Sequence, residues 1–511
     1  MKLNYRRTIC VGFAFFLISA FWQAYDSIIP LILTGKFGLS QTFSGVIMAM
    51  DNILALFLLP LFGAISDRHR GRFGRRTPFI VIGTLIAAAA FVLLSAADNA
   101  QLRNLGDAAK IDDPAALAGI YAAEADKTLL TPDGRSFVLS QELTEAEFTA
   151  IRSSGESAGD YTAYVVPARQ AYAREVSAAN RVPLILFMVL LLVVLVSMSV
   201  FRSPAVALMP DVTIKPLRSK GNAVINLMGA FGGILVLVLG IVFATGAVEN
   251  SLMRYTGFFS VIAGIMLIAL GLFLLTVNEP RFVKEMREES RKYGIPEDGD
   301  EEAPAGEKRR LGPGERRSLI FLLLSIVLWF FGYNAVTSKY SVYASNILHK
   351  DFNLTLIIAQ AAAIAAFLPV GIVSSKVGRK KTILAGVVML TVAFGTFAFL
   401  REDSPALLMN LLFALAGIGW ATINVNSFPM VVEMSSGADV GKYTGIYYTA
   451  SMAAQVATPM VSGFLMDKLG MTVLFPYAAV FAALAFITML AVRHGDSRPQ
   501  AKKGLEALDV D

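Results

Sequence analysis

Long stretches of apolar residues without a single charge recur along this chain of 511 residues. Three clear examples are Pro183–Ser199, Gly257–Leu275 and Thr472–Val492. A run of about 20 apolar residues is long enough to cross the ~30 Å hydrocarbon core of a bilayer. Only 16% of the residues are charged, whereas soluble domains carry about 25%. The chain is therefore predicted to be a polytopic membrane protein.

The apolar stretches predict an all-α membrane protein with twelve transmembrane helices in two six-helix halves. Spans of this length satisfy their own backbone hydrogen bonds in hydrocarbon by forming helices. The halves are predicted at residues 1–277 and 318–493, with a linker at 278–317 and a tail at 494–511. The twelve spans are predicted at residues 8–34, 42–66, 78–97, 183–210, 220–246, 254–276, 318–346, 354–375, 382–400, 405–432, 442–466 and 472–493.

Residues that carry catalytic or metal chemistry are scarce and scattered. The one cysteine, Cys10, lies in the first apolar stretch and allows neither an intrachain disulfide nor a cysteine metal site. The three histidines are far apart, in or beside polar loops: His69, His349 and His494. We therefore expect neither an enzyme nor a bound cofactor or metal.

The formal net charge of +6 is concentrated in alternate loops, which is a topology signal rather than a nucleic-acid signal. With the N-terminus inside, the cytoplasmic loops receive Arg68, Arg70, Arg72, Arg75, Arg76, Lys215, Arg218, Lys220, Lys376, Arg379, Lys380 and Lys381. The opposite short loops hold about one basic residue each: Lys36, Arg254, Lys350, Arg401 and Lys468. We expect a multi-pass protein of the cell (inner) membrane with both termini cytoplasmic, and anionic lipid as a partner of these loops.

Two polar segments interrupt the apolar pattern. The first, residues 98–182, separates spans 3 and 4 on the outer side and contains helix-like pieces. One of these has the Thr144/Glu147 spacing of a capping box. Since it has no cysteine and few large apolar residues, this insertion is predicted to be a small helical cap rather than an independent enzyme domain. The second, the linker, is predicted to begin as a helix and to be flexible near Pro296–Gly314.

A short sequence frame recurs in the two halves. Span 2 ends in PLFGAISDRHRGRFGRRTPFIVIG and span 8 ends in PVGIVSSKVGRKKTILAG. Superposing Gly63 on Gly371 aligns Asp67 with Ser375 and Arg68 with Lys376. The first loop then has four extra residues, after which Gly74 aligns with Gly378, Arg75 with Arg379 and Arg76 with Lys380. Topology alone would explain the basic residues but not the repeated frame.

This frame is similar to the loop 2–3 signature of the major facilitator superfamily. Within that superfamily, SDRHRGRFGRRTPFI resembles the sucrose/proton symporters of plants and their animal and bacterial relatives. The stretch FRSPAVALMPDVTIKPLRSKGNAVINLMGAFGGI resembles the span 4–5 region of the same group and of the glycoside/cation symporters. The resemblance implies the major facilitator fold, with two halves that rock around a central site, and a sugar as substrate.

One departure from the resemblance concerns sodium. Melibiose-type glycoside symporters use intramembrane aspartates for sodium and sugar. The corresponding positions here hold Ser19, Ala55, Leu59 and Arg202. Sodium coupling is therefore not expected, and proton coupling or facilitated diffusion is favoured.

Ionisable residues inside a span are costly and usually face a cavity or a partner. Asp26 and Asp51 are predicted in the outer half of the membrane, and Arg202 too far inward to pair permanently with either. Asp51 is the first candidate for proton coupling and Asp26 the second; alternatively both acids lie in the outer interface. Lys339 is expected to extend its amine outward to the membrane surface.

Span 1 has a face at helical spacing that suits a sugar, with Trp22 to stack on the ring and Asp26 to accept hydroxyl hydrogen bonds. Packing or an interfacial position is the alternative for such a face. Further candidates for substrate contact are Arg202, Asn226, Asn334, Trp420 and Asn424. Each of these polar groups could instead form an interhelical hydrogen bond.

Asp67 is the main gating candidate because it ends span 2 at the negative pole of that helix. The resemblance implies that it latches against the start of span 11, around Gly441–Lys442, in the outward-open state. The other gating candidates are Arg68, Arg75, Arg76, Ser375 and Arg379. Because Ser375 replaces the acid, the second latch is expected to be weaker.

These inferences predict a monomeric secondary transporter for proton-coupled uptake of a disaccharide or related glycoside. One alternative is a facilitator or exporter of the same superfamily for another small polar molecule. Another is a non-transporting receptor or scaffold that uses the insertion or the linker. The loop signatures in both halves argue against this last alternative.

Overall fold

The structure, a computed structural model, describes residues 3–214, 217–295, 311–434 and 440–495, without the side chains of residues 219, 220, 368, 375 and 440–442. It is nearly all helical. In chain order the elements up to the end of the insertion are α1 (Tyr5–Leu31), α2 (Gln41–Arg68), α3 (Thr77–Leu105), α4 (Pro114–Glu124), β1 (Thr128–Leu130), β2 (Ser136–Val138), α5 (Leu139–Glu142), α6 (Glu145–Ala150), α7 (Ala158–Asp160) and α8 (Val166–Ala179).

Three more long helices complete the first half, and six form the second. They are α9 (Val182–Asp211), α10 (Arg218–Val242) and α11 (Thr256–Thr276), then the linker helix α12 (Glu279–Lys292), then α13 (Pro313–Tyr343), α14 (Phe352–Val377), α15 (Arg379–Phe397), α16 (Ala406–Val432), α17 (Val440–Leu469) and α18 (Leu474–Leu490).

The predicted fold class, an all-α membrane protein of twelve membrane helices, is confirmed. Within the described ranges, ten helices are long and apolar enough to cross a membrane. The other two are α14, with a shorter apolar stretch at Phe352–Phe367, and α17, which is 30 residues long but more polar. Two groups of six helices, α1–α3 with α9–α11 and α13–α18, follow the order that the apolar stretches predict.

The insertion between α3 and α9 is folded around a small core of its own. Its buried side chains include Leu117, Ile120, Phe137, Phe148 and Tyr161. The capping box is present, since Thr144 and Glu147 each bond the other's backbone N–H. The insertion also contains a hairpin that was not predicted, in which β1 pairs antiparallel with β2.

The end of the bundle that carries this insertion is called here the insertion end, and the opposite end, where α12 lies, the linker end. At the insertion end Lys36 and Asp98 form an ion pair with no exposed side-chain surface. The Lys36 Nζ lies 2.7 Å from both carboxylate oxygens and 2.6 Å from the Met253 carbonyl oxygen. Lys36 was expected in a short loop, but it is buried because Asp98 on α3 compensates its charge.

The two halves are packed together at the insertion end. The Gln360 amide of α14 donates to the Gln23 side chain of α1 over 2.5 Å. The Asn353 amide of α14 donates to Thr245, just beyond α10, over 3.2 Å. Contacts of α2 with α17, described below, close the same end. The central cavity therefore has its opening elsewhere.

Candidate functional site

A polar chamber of about 230 Å³ lies between the two halves. Residues of α1, α2, α9, α13 and α17 form its wall. They are Trp22, Asp26, Met48, Asp51, Asn52, Arg202, Asn334, Thr337, Ser338, Gln455 and Pro459. The chamber thus combines carboxylates, a guanidinium, amides and hydroxyls with one indole.

The structure brings five of the predicted residues into this chamber: Trp22, Asp26, Asp51, Arg202 and Asn334. Trp22 and Asp26 are four residues apart on α1 and therefore share one face. Their meeting with α2, α9 and α13 comes from the tertiary fold and is invisible in the local sequence pattern.

Arg202 is nearer to the two acids than its sequence depth suggested. It lines the same chamber as Asp26 and Asp51, because its long side chain extends from α9 towards α1. The guanidinium carbon lies 5.6 Å from the centroid of the Trp22 ring, in cation–π geometry. Among the described residues it forms no ion pair with either acid.

Two buried donors in the chamber wall have no partner in the described part of the protein. They are the indole Nε1 of Trp22 and the amide Nδ2 of Asn334. Buried polar groups are nearly always hydrogen-bonded, so such donors call for an acceptor. Asp51 accepts from the neighbouring Asn52 over 2.8 Å. The chamber can therefore both donate to and accept from a polar ligand.

A larger cavity of about 760 Å³ continues from the chamber towards the linker end. The two share Asn52, Arg202 and Gln455, and the larger one reaches Asp67 at the end of α2. The Asp67 side chain is 57% exposed. The central site is thus accessible from the linker end and closed at the insertion end.

Three predicted contact residues lie outside both cavities: Asn226, Trp420 and Asn424. Trp420 stacks face to face on Tyr333, with ring centroids 3.8 Å apart, and its edge meets Phe330. Phe330 itself lines the larger cavity. Trp420 therefore packs against Phe330 and supports the wall of the larger cavity without lining it.

A charged network joins the gating candidates of the first half. Asp67 pairs with Arg76, and Arg76 Nε also lies 2.9 Å from Asp211 at the end of α9. Arg75 lies 3.3 Å from the same Asp211 carboxylate. Arg68 is exposed. The expected Asp67 partner at Gly441–Lys442 has side chains outside the described residues, so the latch across the halves stays a prediction.

A carboxylate from the linker completes this network. Glu279, at the start of α12, accepts from the backbone N–H groups of Arg75 and Thr77 at 2.6 and 2.8 Å. It thereby satisfies donors at the amino end of α3. Neither Glu279 nor Asp211 was among the predicted site residues, although an acid at the end of a span suggests a partner in a basic loop.

The second half contains a corresponding pair. Arg379, at the start of α15, pairs with Glu433 at the end of α16. This pair corresponds to that of Arg75 with Asp211 in the first half. The backbone of Ser375 lies in α14, and its side chain is outside the described part. Glu433 was not among the predicted residues.

The expectation that Lys339 extends to the membrane surface is wrong. Its side chain is fully buried on α13, and its Nζ donates to the Gln41 carbonyl oxygen over 2.8 Å. Gln41 begins α2 of the other half. Lys339 is retained inside the protein because this carbonyl, together with the Gln41 side-chain oxygen at 3.4 Å, replaces water.

Comparison with known proteins gives matches in family, sequence and fold. The pattern of the Major Facilitator Superfamily matches residues 11–103 and 349–509. An uncharacterized MFS-type transporter of Methanocaldococcus jannaschii is 27% identical over 125 residues, which are 24% of this chain and 30% of that protein. Solute carrier family 45 member 3 of Homo sapiens is 41% identical over 51 residues, 10% of this chain and 9% of that protein. The alignments thus span less than a third of either relative.

The whole fold has a counterpart among solved structures. The xylose transporter XylE from E. coli, in an inward open conformation, superposes with a TM-score of 0.59 at 16% identity. The match covers 98% of each chain. At this identity the likeness establishes the fold only. The family pattern, together with the sequence repeat, shows that the chain belongs to the Major Facilitator Superfamily.

Proposed function

We propose that this protein is a secondary transporter that moves a disaccharide or related glycoside together with protons, by alternating access to the polar chamber. The observation that carries the proposal is the chamber itself, with two carboxylates, one guanidinium and two unpartnered N–H donors between the halves. Sugar-like solutes need such a mixture of donors and acceptors.

The chamber suits a hydroxylated ring in shape and chemistry. The Trp22 and Asn334 donors can bond sugar oxygens, while Asp26 can accept from hydroxyl groups. The chamber of about 230 Å³ and the adjoining cavity of about 760 Å³ together offer ample room, since ligand pockets measure about 300–1,000 Å³. The Trp22 ring faces Arg202 and contacts the Phe21 and Tyr25 rings at steep angles, which fixes the indole in the chamber wall.

The acid–base inventory supports protons rather than sodium as the coupled ion. Among the described residues of the chamber wall, only Asp26 and Asp51 are carboxylates. Ala55, Leu59 and Arg202, at positions where melibiose-type symporters carry aspartates, line the larger cavity and offer no carboxylate. Asp51 is proposed as the proton carrier, and Asp26 as a group that also contacts the substrate.

The linker end is proposed to be cytoplasmic. The arginine-rich loop after α2 and the basic start of α15 both lie there, as the positive-inside rule requires. With this orientation the described state is open inward, and both termini and the linker lie in the cytoplasm of a cell (inner) membrane. Uptake would then release the substrate past Asp67.

Purified protein in proteoliposomes tests the proposal with a panel of labelled sugars, with and without an imposed proton gradient. The expected result is exchange of at least one glycoside and its accumulation when the gradient is present. Exchange of another polar solute alone would replace the substrate class. Binding without any exchange would favour a receptor and contradict transport.

A matched pair of amides sharpens the assignment of the chamber. Asn334→Ala removes an unpartnered donor from the chamber wall, and should weaken sugar binding about tenfold. Asn424→Ala removes the same group from a position outside both cavities, and should change binding little. Equal losses in the two variants would contradict a substrate site in this chamber.

A further inference from the structure

The beginning of α2 is held at the insertion end by two charged residues of the other half. The Asp467 carboxylate of α17 accepts from the backbone N–H groups of Gln41 and Thr42 at 2.8 and 2.7 Å. The Thr42 hydroxyl also donates to it. Lys339 of α13 donates to the Gln41 carbonyl oxygen over 2.8 Å. One helix start thus receives a carboxylate and an ammonium from the opposite half.

These contacts match the electrostatics of a helix start. The first N–H groups of a helix have no partner inside it, and they form the positive pole of its dipole. Ser40, the preceding residue, caps only the N–H of Phe43. Asp467 serves the N–H groups of residues 41 and 42, so the start of α2 is fully satisfied only while the halves touch.

Backbone packing makes the contact depend on close approach. A Cβ atom at Gly45 of α2 would collide with the Pro459 carbonyl oxygen of α17. A Cβ atom at Gly463 of α17 would collide with the Gln41 carbonyl oxygen. Helices α2 and α17 are therefore in van der Waals contact near the start of α2, where Asp467 and Lys339 also bind.

Opening the insertion end has to break all of these bonds at once. The separation of α2 from α17 and α13 would leave the helix start, the carboxylate and the ammonium to be solvated by water. We propose that Asp467 and Lys339 are gating residues that clamp the start of α2 and favour the state closed at the insertion end. This inference rests on the proposed alternating access, and it assigns the gate opposite to the one at Asp67.

Site-specific labelling measures this gate directly. In a Cys10→Ser background, which removes the native cysteine, Ser338→Cys places one thiol in the chamber wall. A membrane-impermeant maleimide is added to sealed vesicles with the insertion end outward, so that labelling requires opening at that end. We expect Asp467→Asn and Lys339→Met each to raise the initial labelling rate about tenfold.

Two further variants separate the clamp from general damage. Gly463→Ala leaves both charges in place but wedges α17 away from α2, and should also raise the labelling rate. Asp113→Asn alters a carboxylate that caps the start of α4 within the insertion, and should leave the rate unchanged. All variants are compared as monodisperse protein.

Unchanged labelling in Asp467→Asn and Lys339→Met, with Gly463→Ala raised, would overturn the clamp while leaving a steric gate at this end. Sugar counterflow, measured in parallel on the same gate variants with Ser338 retained, separates the two proposals. Counterflow without any labelling change overturns the clamp alone. Faster labelling without exchange of any sugar supports the clamp and contradicts the substrate assignment.

Discussion

Gly74 and Gly378 adopt the same backbone conformation at corresponding positions of the two halves, with φ angles of 103° and 102°. Each lies in the loop after the second span of its half and directly precedes an arginine, Arg75 or Arg379. Positive φ is unfavourable for residues with a Cβ. The repeat in the sequence is therefore also a repeat of backbone geometry, and it aims each arginine at an acid on a neighbouring helix.

The first prediction concerns the gate at the linker end. Asp67→Asn removes a charge that pairs with Arg76 but keeps the size of the side chain. The variant should fold, because Asp67 is 57% exposed and Arg76 keeps its contact with Asp211. We expect a several-fold lower maximal rate of counterflow with nearly unchanged equilibrium sugar binding. Asp403→Asn, in a polar loop at the insertion end, is the control, and a selective loss of affinity would argue against a gating role.

The second prediction concerns energy coupling. Asp51→Asn should abolish accumulation driven by a proton gradient yet preserve sugar exchange, because exchange needs no net proton movement. Asp26→Asn should impair both, since Asp26 shares the Trp22 face of the chamber. Gradient-driven uptake and counterflow measured between pH 5.5 and about 8 distinguish these outcomes. If Asp51→Asn still concentrates sugar with wild-type pH dependence, Asp26 or a facilitator mechanism takes its place.

The sequence was informative where a residue's role follows from its neighbours along the chain. Apolar runs located the membrane helices, and a spacing of four residues put Trp22 and Asp26 on one face. The Pro132–Gly134 turn between two β-prone segments is also a hairpin signal of this local kind. Local information of this kind is present in any single helix or turn.

Relations between helices could not be predicted in the same way. Lys339 appears able to reach the surface from its sequence position, and only the fold brings the Gln41 carbonyl oxygen to its amine. In the sequence Asp467 is an ordinary acid near a helix end, and only the fold brings the start of α2 beside it. Arg202 appears distant from Asp51 because depth along separate helices ignores the reach of a long side chain.

The third prediction concerns the insertion. Its two ends meet, since the Asn180 amide donates to the Asn104 side chain over 3.2 Å. Deleting residues 106–178 and joining the ends with a short flexible linker should therefore leave sugar exchange measurable. Total loss of counterflow in a correctly inserted, monodisperse deletion variant would show that the insertion is required.

The fourth prediction concerns pH. His349 contacts Thr162 of the insertion, with Glu402 3.9 Å away and Lys350 adjacent. Burial lowers the pKa of His349, although Glu402 opposes this effect and Lys350 adds to it. The neutral ring is favoured, so this contact is complete above the ordinary histidine pKa of about 6.5 and weakens as the pH falls below it.

Hydrogen exchange of residues 158–165 checks this dependence. Exchange should be faster at pH 5 than at pH 7.5, after correction for the intrinsic rate. His349→Gln should remove most of the difference, because glutamine does not titrate. An equal pH effect in that variant would assign the change to another group.

The fifth prediction concerns the buried pair of Lys36 and Asp98. Lys36→Met alone leaves an unpaired buried carboxylate and should destabilise the protein by about 3–5 kcal/mol. Combining it with Asp98→Leu should recover most of that loss, because both charges are then gone. Thermal unfolding in detergent measures both variants. Equal destabilisation by the single and double changes would mean that the pair contributes by packing alone.

The same pair has a consequence for biogenesis. Lys36 and Asp98 are 62 residues apart, so Lys36 is synthesised and leaves the ribosome well before Asp98. Until α3 arrives, Lys36 has no compensating charge, and an isolated lysine is unfavourable in hydrocarbon. Until α3 is present, the C-terminal end of the nascent first span, which carries Lys36, would have to remain in contact with water at the translocation machinery. The complete insertion of α1 into the membrane would then coincide with that of α3. These two helices would thus enter the bilayer in one joint step.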